Sequence, residues 1–241
     1  MTSSDLWSAE AAQRYDVDAA EMFAPEVLGP AVDALADLAG DGRALEFAIG
    51  TGRVAIPLAE RGVEVSGIEL SEPMADRLRR KVPEIPVVIG DMATTRVPGE
   101  FSLVYLVWNG ISNLRTQEEQ VECFRNAARH LAPGGHFVVE LWVPDLRRLP
   151  PGQTAVPFAV SERHTGFDTL DVVTQQGTSH HYARSPDGRV RYNYSNFRYL
   201  WPSECDLMGR LAGLILRQRT ADWKGSPFTA ESTDHVSIWR K

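Results

Sequence analysis

The sequence predicts an α/β protein built on a doubly wound, mostly parallel sheet of seven strands, with an antiparallel β insertion covering its active-site face. Three observations carry this. Short apolar runs alternate with stretches of helical spacing from residue 44 to residue 141, the pattern of parallel strands joined by crossover helices. The first run ends in a glycine turn, Gly50-Thr51-Gly52, where such a sheet meets its ligand. After Pro150-Pro151-Gly152 the period moves towards two, and Ser185-Pro186-Asp187-Gly188 marks a hairpin.

The elements follow in order. Residues 1–24 are expected to be helical around Trp7, Tyr15 and Met22-Phe23, and a second helix covers Pro25–Leu38 before Gly40-Asp41-Gly42. Ala44–Ile49 is the first strand, with a helix behind it reaching Glu60. Val63–Ile68 is the second, ending at Glu69. Ser71-Glu72-Pro73 has the cap and first-turn proline of a helix continuing over Met74–Lys81. Val87–Ile89 ends at Gly90-Asp91, and Phe101–Val107 ends at Trp108-Asn109. Gln117–Leu131 places Val121, Phe124, Ala128 and Leu131 at helical spacing and is expected to stop at Pro133-Gly134-Gly135, before strand Phe137–Leu141. Ser179–Arg184 and Val190–Tyr199 are the hairpin arms. Ser203–Ala212 reads as a capped helix, and Leu214–Arg219 and His235–Arg240 as strands returning to the main sheet. The chain thus divides into lid helices (1–39), a Rossmann-like core (40–150), a β cover (151–202) and a C-terminal helix and strands (203–241).

Composition narrows the function. The 241 residues carry a net charge of −7, and the one basic run, Arg77-Leu78-Arg79-Arg80-Lys81, reads as a solvated helix end. Nucleic acid is therefore not an expected partner, because phosphate contacts need clustered cations. Cys123 and Cys205 lie far apart and outside any C-x-x-C pair, so neither a disulfide framework nor a metal site is expected. The N-terminus has no basic and apolar signal regions, and no apolar run reaches membrane-spanning length. A cytoplasmic location without membrane contact is expected.

In a doubly wound sheet the ligand sits outside the carboxyl ends of the strands. Gly50-x-Gly52-x-x-Ala55 fits a dinucleotide turn and equally the looser loop that holds S-adenosylmethionine. Glu69, nineteen residues after Gly50, can accept from both ribose hydroxyls of either ligand. Three features favour a methyl over a hydride. Asp91-Met92 can serve an adenine. With lysine only at 81, 224 and 241, no Tyr-x-x-x-Lys pair exists. Glu46, four residues before the first loop glycine, can meet a ligand ammonium.

Glu46-Phe47-Ala48-Ile49-Gly50-Thr51-Gly52 resembles the first motif of class I S-adenosylmethionine-dependent methyltransferases. Val65–Ser71 and Gly90-Asp91-Met92 resemble their ribose and adenine motifs, and Leu131–Phe137 resembles their turn into the fifth strand. The resemblance covers about residues 40–145 and departs at Ala48, where glycine is usual. It implies S-adenosyl-L-methionine as cofactor and S-adenosyl-L-homocysteine as product. Gly50, Thr51 and Gly52 would line the methionine part, with Glu46 towards its amino group. Glu69 would hold the ribose, with Leu70 and Met74 flanking the adenosine. Asp91 and Met92 would hold the adenine, and Val107 and Trp108 would pass beside the sulfonium.

Gln13-Arg14-Tyr15-Asp16 resembles the lid helix of small-molecule N-methyltransferases acting on amino sugars and related metabolites, in which a Tyr closes over the cofactor. Tyr15 is accordingly expected at both the cofactor and the reacting groups. Trp108, Asn109 and Asn113 follow the fourth strand and are expected beside the acceptor. Of the six histidines, His130, His136 and His235 suit surface or capping roles. Strand alternation turns one of His180 and His181 towards the cleft without saying which; His181 is the candidate base and His180 an acceptor contact. Cover residues Phe158, Phe167, Tyr192, Tyr194, Phe197 and Tyr199 suit a partly apolar cleft, a hairpin core or a subunit interface.

A neutral amine needs no base before attack, whereas an alcohol or phenol does. The expected function is therefore methyl transfer to an amine nitrogen of an amino-sugar-like or other secondary metabolite, as in antibiotic biosynthesis. The alternatives are a small-molecule O-methyltransferase, a nicotinamide-dependent oxidoreductase and a non-catalytic binding module. The expected partners are the small-molecule acceptor and, through the β insertion, a second copy of the chain.

Overall fold

The computed structural model describes residues 2–241, the side chain of Arg147 excepted. Two helices lead in, α1 (Ala9–Asp18) and α2 (Pro25–Ala39). Strands and helices then alternate: β1 (Ala44–Phe47), α3 (Ala55–Glu60), β2 (Val65–Glu69), α4 (Glu72–Lys81), β3 (Val87–Ile89), β4 (Phe101–Leu106), α5 (Gln117–His130) and β5 (Leu131–Trp142). Strands β6 (Ala155–Val160), β7 (His164–Leu170), β8 (Gln176–Arg184) and β9 (Val190–Arg198) precede α6 (Pro202–Leu211), β10 (Ile215–Thr220) and β11 (Asp234–Arg240).

Seven strands form one sheet in the order β10-β11-β5-β4-β1-β2-β3, and four form a second in the order β6-β7-β8-β9. In the first sheet β11 runs antiparallel to β5 and β10, and the remaining pairs are parallel. The second is antiparallel throughout. The expected doubly wound sheet and its antiparallel companion are both present. β1 and β2 are buried at every position, as strands covered on both faces must be. Phe124 meets Phe137 and Trp239 edge to face, at 5.0 and 5.2 Å between ring centroids, and so joins α5 to β5 and β11. A capping box between Thr116 and Glu119 starts α5.

Four details depart from the sequence expectations. The first helix begins only at Ala9, where Ser8 caps it by accepting from the Ala11 N–H. Residues 2–8 form a non-helical strap held by distant partners. The Ser3 N–H donates to Glu119 Oε1 at 2.7 Å, Ser4 Oγ to the Asn113 carbonyl at 2.9 Å, and Ser71 Oγ to the Trp7 carbonyl at 2.9 Å. Ser71, expected as the cap of α4, makes that bond and no side-chain cap. Pro133-Gly134-Gly135 does not end an element before the next strand, because β5 follows α5 directly. There the Gly134 N–H donates to the Lys241 carbonyl, so the end of β11 pairs where a free turn was expected. His130 and His235 are fully buried rather than at the surface. His130 Nδ1 donates to the Asn126 carbonyl while its Nε2 accepts from the Val97 N–H, which sets a neutral ring as a structural link. Among the described residues no helix is long and apolar enough to cross a membrane.

Candidate functional site

A cavity of about 460 Å³ opens at the carboxyl ends of β1 to β4 and is closed by α1, the strap and the second sheet. Immediately after β1 the chain turns through Ala48 at φ 54°, Gly50 at φ 58° and Gly52 at φ 86°. An L-residue in the left-handed region is disfavoured by about 1–2 kcal/mol, so Ala48 holds local strain against the cavity wall. Ala48→Gly is expected to raise stability by about 1 kcal/mol through relief of that conformation, read from the urea midpoint at unchanged m-value. Gly52 does not line the cavity. A Cβ there would stand 2.5 Å from Leu78 Cδ1 and 3.0 Å from Ile56 Cγ1, so this glycine lets the loop lie against those side chains instead of a ligand.

Three carboxylates mark the ends of successive strands. Glu69, only 6% exposed, accepts from the Gly50 N–H through Oε2 and from the Ser71 N–H through Oε1, both at 2.8 Å. An ionised carboxylate offers about four acceptor positions, so the two bonds orient the group and leave acceptor capacity towards the cavity. Burial raises its pKa, against the opposing pull of the Ser71, Gly50 and Leu70 N–H groups. Glu46 is 3% exposed and accepts from Tyr105 Oη at 2.8 Å. Burial pushes its pKa up to about 8, with the Tyr105 hydrogen bond and the Arg53 charge acting the other way. Asp91 accepts from the Ala93 N–H at 2.7 Å through Oδ1, and Gly90, Asp91 and Met92 all line the cavity.

The lid is latched by Asp16. Its Oδ1 accepts from Thr51 Oγ1 at 2.6 Å, and its Oδ2 pairs with Lys81 at 2.8 Å and Arg77 at 3.1 Å. Burial works to raise the Asp16 pKa, but the bonds from Lys81, Thr51 and Arg77 outweigh it and keep the group below its ordinary value. Its neighbour in α1, Tyr15, meets Trp7 edge to face at 5.4 Å and lies 6.1 Å from Trp108. The Arg53 guanidinium sits 4.6 Å over the Trp108 ring. Burial raises the Tyr15 hydroxyl to about 12, which suits a hydrogen-bond donor and rules out a phenolate base near neutrality.

Beyond β4, Trp108 and Asn109 hold consecutive left-handed conformations at φ 49° and 59°. Glu140 on β5 supports them by accepting from the Trp108 N–H at 2.8 Å and from Trp223 Nε1 at 2.6 Å. The Asn109 side-chain carbonyl accepts from the Trp142 N–H at 2.7 Å. The side-chain oxygen of Asn109, a residue expected beside the acceptor, is thus engaged in holding this turn. Non-glycine residues in such conformations cluster where a site over-determines its backbone, and Ala48, Trp108 and Asn109 all line this cavity.

The structure brings together Tyr15, Glu46, Gly50, Thr51, Glu69, Leu70, Met74, Asp91, Met92, Val107, Trp108, Asn109 and Asn113 around one cavity. It leaves out Gly52, His180 and His181. His180 belongs to the outer face of β8, where it stacks on Phe167 at 4.8 Å and its Nδ1 bonds Tyr192 Oη at 2.7 Å. His181 shares the inner parity of β8 with Ser179 but stacks on His164 at 5.3 Å instead of reaching the cavity. The expected base and the expected histidine contact are therefore both placed elsewhere. Of the expected cover aromatics, Phe197 lines the cavity. In the histidines' place stand residues that sequence reasoning missed: Asp5, Arg53, Ser112, Trp142, Asp168, Ser179 and Ser195. Arg53 adjoins the glycine loop and was legible by proximity. The others enter through strand register and sheet docking, which no local pattern records.

Residues 44–135 match the family described as a methyltransferase domain. The chain is 37% identical to the CcbJ methyltransferase of Streptomyces caelestis, with 88% of each chain covered and a TM-score of 0.80. It is 36% identical over 102 residues to a dTDP-4-amino-2,3,4,6-tetradeoxy-D-glucose N,N-dimethyltransferase of Saccharopolyspora spinosa. That match spans 42% of this chain and only 41% of the sugar enzyme's length. A cypemycin N-terminal methyltransferase from a Streptomyces species is 27% identical over 204 residues, covering 82% of this chain and 83% of that protein.

Proposed function

The chain belongs to the S-adenosylmethionine-dependent methyltransferases, and from that premise we propose that it transfers a methyl group to an amine nitrogen of a small-molecule acceptor. The observation that carries the reading is the row of Glu46, Glu69 and Asp91 at consecutive strand ends in one cavity, an acceptor set that fits an ammonium, a ribose diol and an adenine amine. Gly50 supports the fit, since its open cradle lies against Met74 Cε, 3.6 Å from where a Cβ would stand. The bound cofactor would supply a methyl group already activated on a sulfonium.

This chain's residues would bind and align. Glu46 faces the amino group, Glu69 the ribose, and Leu70, Met74 and Met92 the adenosine. Tyr15, Trp7 and Trp108 close the reacting end against water, and Asp16 ties that lid to the Thr51 loop. Alignment of nucleophile and methyl is worth about 7–11 kcal/mol by effective-molarity reasoning, so a site without a strong base can still catalyse. The expected base His181 has no place in this scheme, and Tyr15 at about 12 acts as a positioning donor. Nitrogen acceptance is supported by the amino sugar and N-terminal amine named for the Saccharopolyspora and Streptomyces relatives.

Calorimetry with S-adenosylmethionine and NADH separates the reading from an oxidoreductase: affinity for the nicotinamide alone overturns it. Mass-spectrometric screening of amine and phenol panels reports on the acceptor atom, and turnover confined to phenols favours the O-methyltransferase. Tyr15→Phe is expected to lower turnover about tenfold with the fold intact by circular dichroism; unchanged turnover removes Tyr15 from the scheme. A second surface fits self-association. Phe167, His180, Tyr182, Tyr192 and Tyr194 form a stacked row on the face of the second sheet turned away from the cavity, and the three tyrosines are exposed. A second copy is the proposed occupant. Light scattering should give a dimer mass for wild type and a monomer mass for Tyr192→Asp, and a wild-type monomer refutes the assignment.

A further inference from the structure

The cavity has a second half that the cofactor assignment leaves unused. Its walls are Asp168 on β7, Ser179 on β8, Ser195 and Phe197 on β9, Ser112 after β4, and Asp5 of the strap. Ser179 Oγ donates to Asp168 Oδ1 at 2.5 Å, joining two neighbouring strands at one paired position. Ser112 is 4% exposed, and its Oγ has no hydrogen-bond partner among the described residues. Buried hydroxyls are normally satisfied, and this orphan belongs to a residue of the cavity wall, where a ligand group can complete it.

The charge of the lining is one-sided. Among the described residues, Arg53 is the one basic side chain that lines the cavity, and it lies over Trp108 at the cofactor end. Asp5 is partly balanced from outside the lining by Arg115, at 3.6 Å. Among the described residues no cation forms an ion pair with Asp168, and His180 stands on the opposite face of the sheet. Phosphate recognition needs Arg, Lys or a row of backbone N–H groups, and none of these side chains stands among Asp168, Ser179, Ser195 and Ser112.

We propose that this half of the cavity is the acceptor subsite, and that it takes a hydroxylated amine without a phosphate group, its amino group held by Asp168 and a hydroxyl by Ser112. The assignment rests on the methyltransferase reading and sharpens it, because nucleotide-linked amino sugars of the kind named for the Saccharopolyspora relative would bring a diphosphate towards Asp5 and Asp168. Burial lifts the Asp168 carboxyl above its ordinary range, with the Ser179 hydrogen bond opposing, so an incoming N–H donor relieves its desolvation.

Glucosamine and UDP-glucosamine differ only in the nucleotide diphosphate, which makes them a matched pair. Calorimetry on the full chain saturated with S-adenosylhomocysteine is expected to show glucosamine binding at least tenfold tighter than UDP-glucosamine. Asp168→Asn should weaken glucosamine at least tenfold, and Ser112→Ala about threefold. Both variants should keep S-adenosylhomocysteine affinity within twofold, which shows that they remain folded. Equal or tighter binding of UDP-glucosamine overturns the proposal, as does unaltered glucosamine affinity in Asp168→Asn or the absence of glucosamine binding at millimolar concentration. If wild type fails to bind S-adenosylhomocysteine at all, the methyltransferase reading falls first, and that outcome is read before any sugar is added.

Discussion

Glu69→Ala is expected to weaken S-adenosylmethionine binding by about 100-fold, because charge-assisted hydrogen bonds contribute about 1.5–3 kcal/mol each and about 1.4 kcal/mol is tenfold in affinity. The effect has two parts. The side chain is the acceptor proposed for the ribose, and it also fixes the loop through Gly50 N–H and Ser71 N–H, both at 2.8 Å. Removing it leaves those donors unpaired, so the loop is free to leave the conformation that meets the ligand. The thermal midpoint should fall along with the affinity. Calorimetry well below that midpoint reads the affinity alone, and a Kd within twofold of wild type would refute the ribose role.

Glu46 leads to a pH effect of comparable size. Burial places its pKa at about 8 against an ordinary 4.5, so at pH 7 the carboxyl is neutral in the unliganded protein. A ligand ammonium favours the charged form, and binding near neutrality then releases a proton. The affinity of wild type relative to Glu46→Gln should therefore climb as pH rises towards about 8, by up to about tenfold per unit, and level off above it. Taking the ratio cancels any titration of the ligand itself. Stability in the absence of ligand has the opposite sign. A carboxyl raised in the folded state contributes stability that is complete below about pH 4.5 and lost as pH rises through about 8. Wild type should thus lose stability relative to Glu46→Gln across that window in urea titrations. A flat affinity ratio between pH 6 and 8 would separate Glu46 from the ligand.

The histidine pair shows where the sequence stops informing. Alternation established that one of His180 and His181 had the inner parity, and in the structure it is His181, in register with Gly166 and Asn193. Parity gives a face but not a position along the strand. The cavity ends near Ser179, and His181 lies one residue pair further out, against His164. The strap raised a similar difficulty. Residues 2–8 have the composition of a helix start, yet Glu119, Asn113, Asn196 and Ser71 hold them across the cavity mouth. Those partners are 64 to 191 residues away, beyond any local window.

What the sequence determined by itself was the doubly wound sheet and the residues gathered at the proposed cofactor end of the cavity. Both follow from short-range patterns: apolar runs of strand length, a glycine turn at the end of the first, and acids closing the next two. In a parallel sheet every strand delivers its carboxyl end to the same edge, so Glu69 and Asp91 are gathered by topology alone once the strands are read. The proposed acceptor half is different. Asp168, Ser179, Ser195 and Ser112 come from two sheets and a loop, and nothing in their spacing sets how one sheet docks on the other. That docking is decided by packing over the whole chain, and only the tertiary structure could place those four groups around one space.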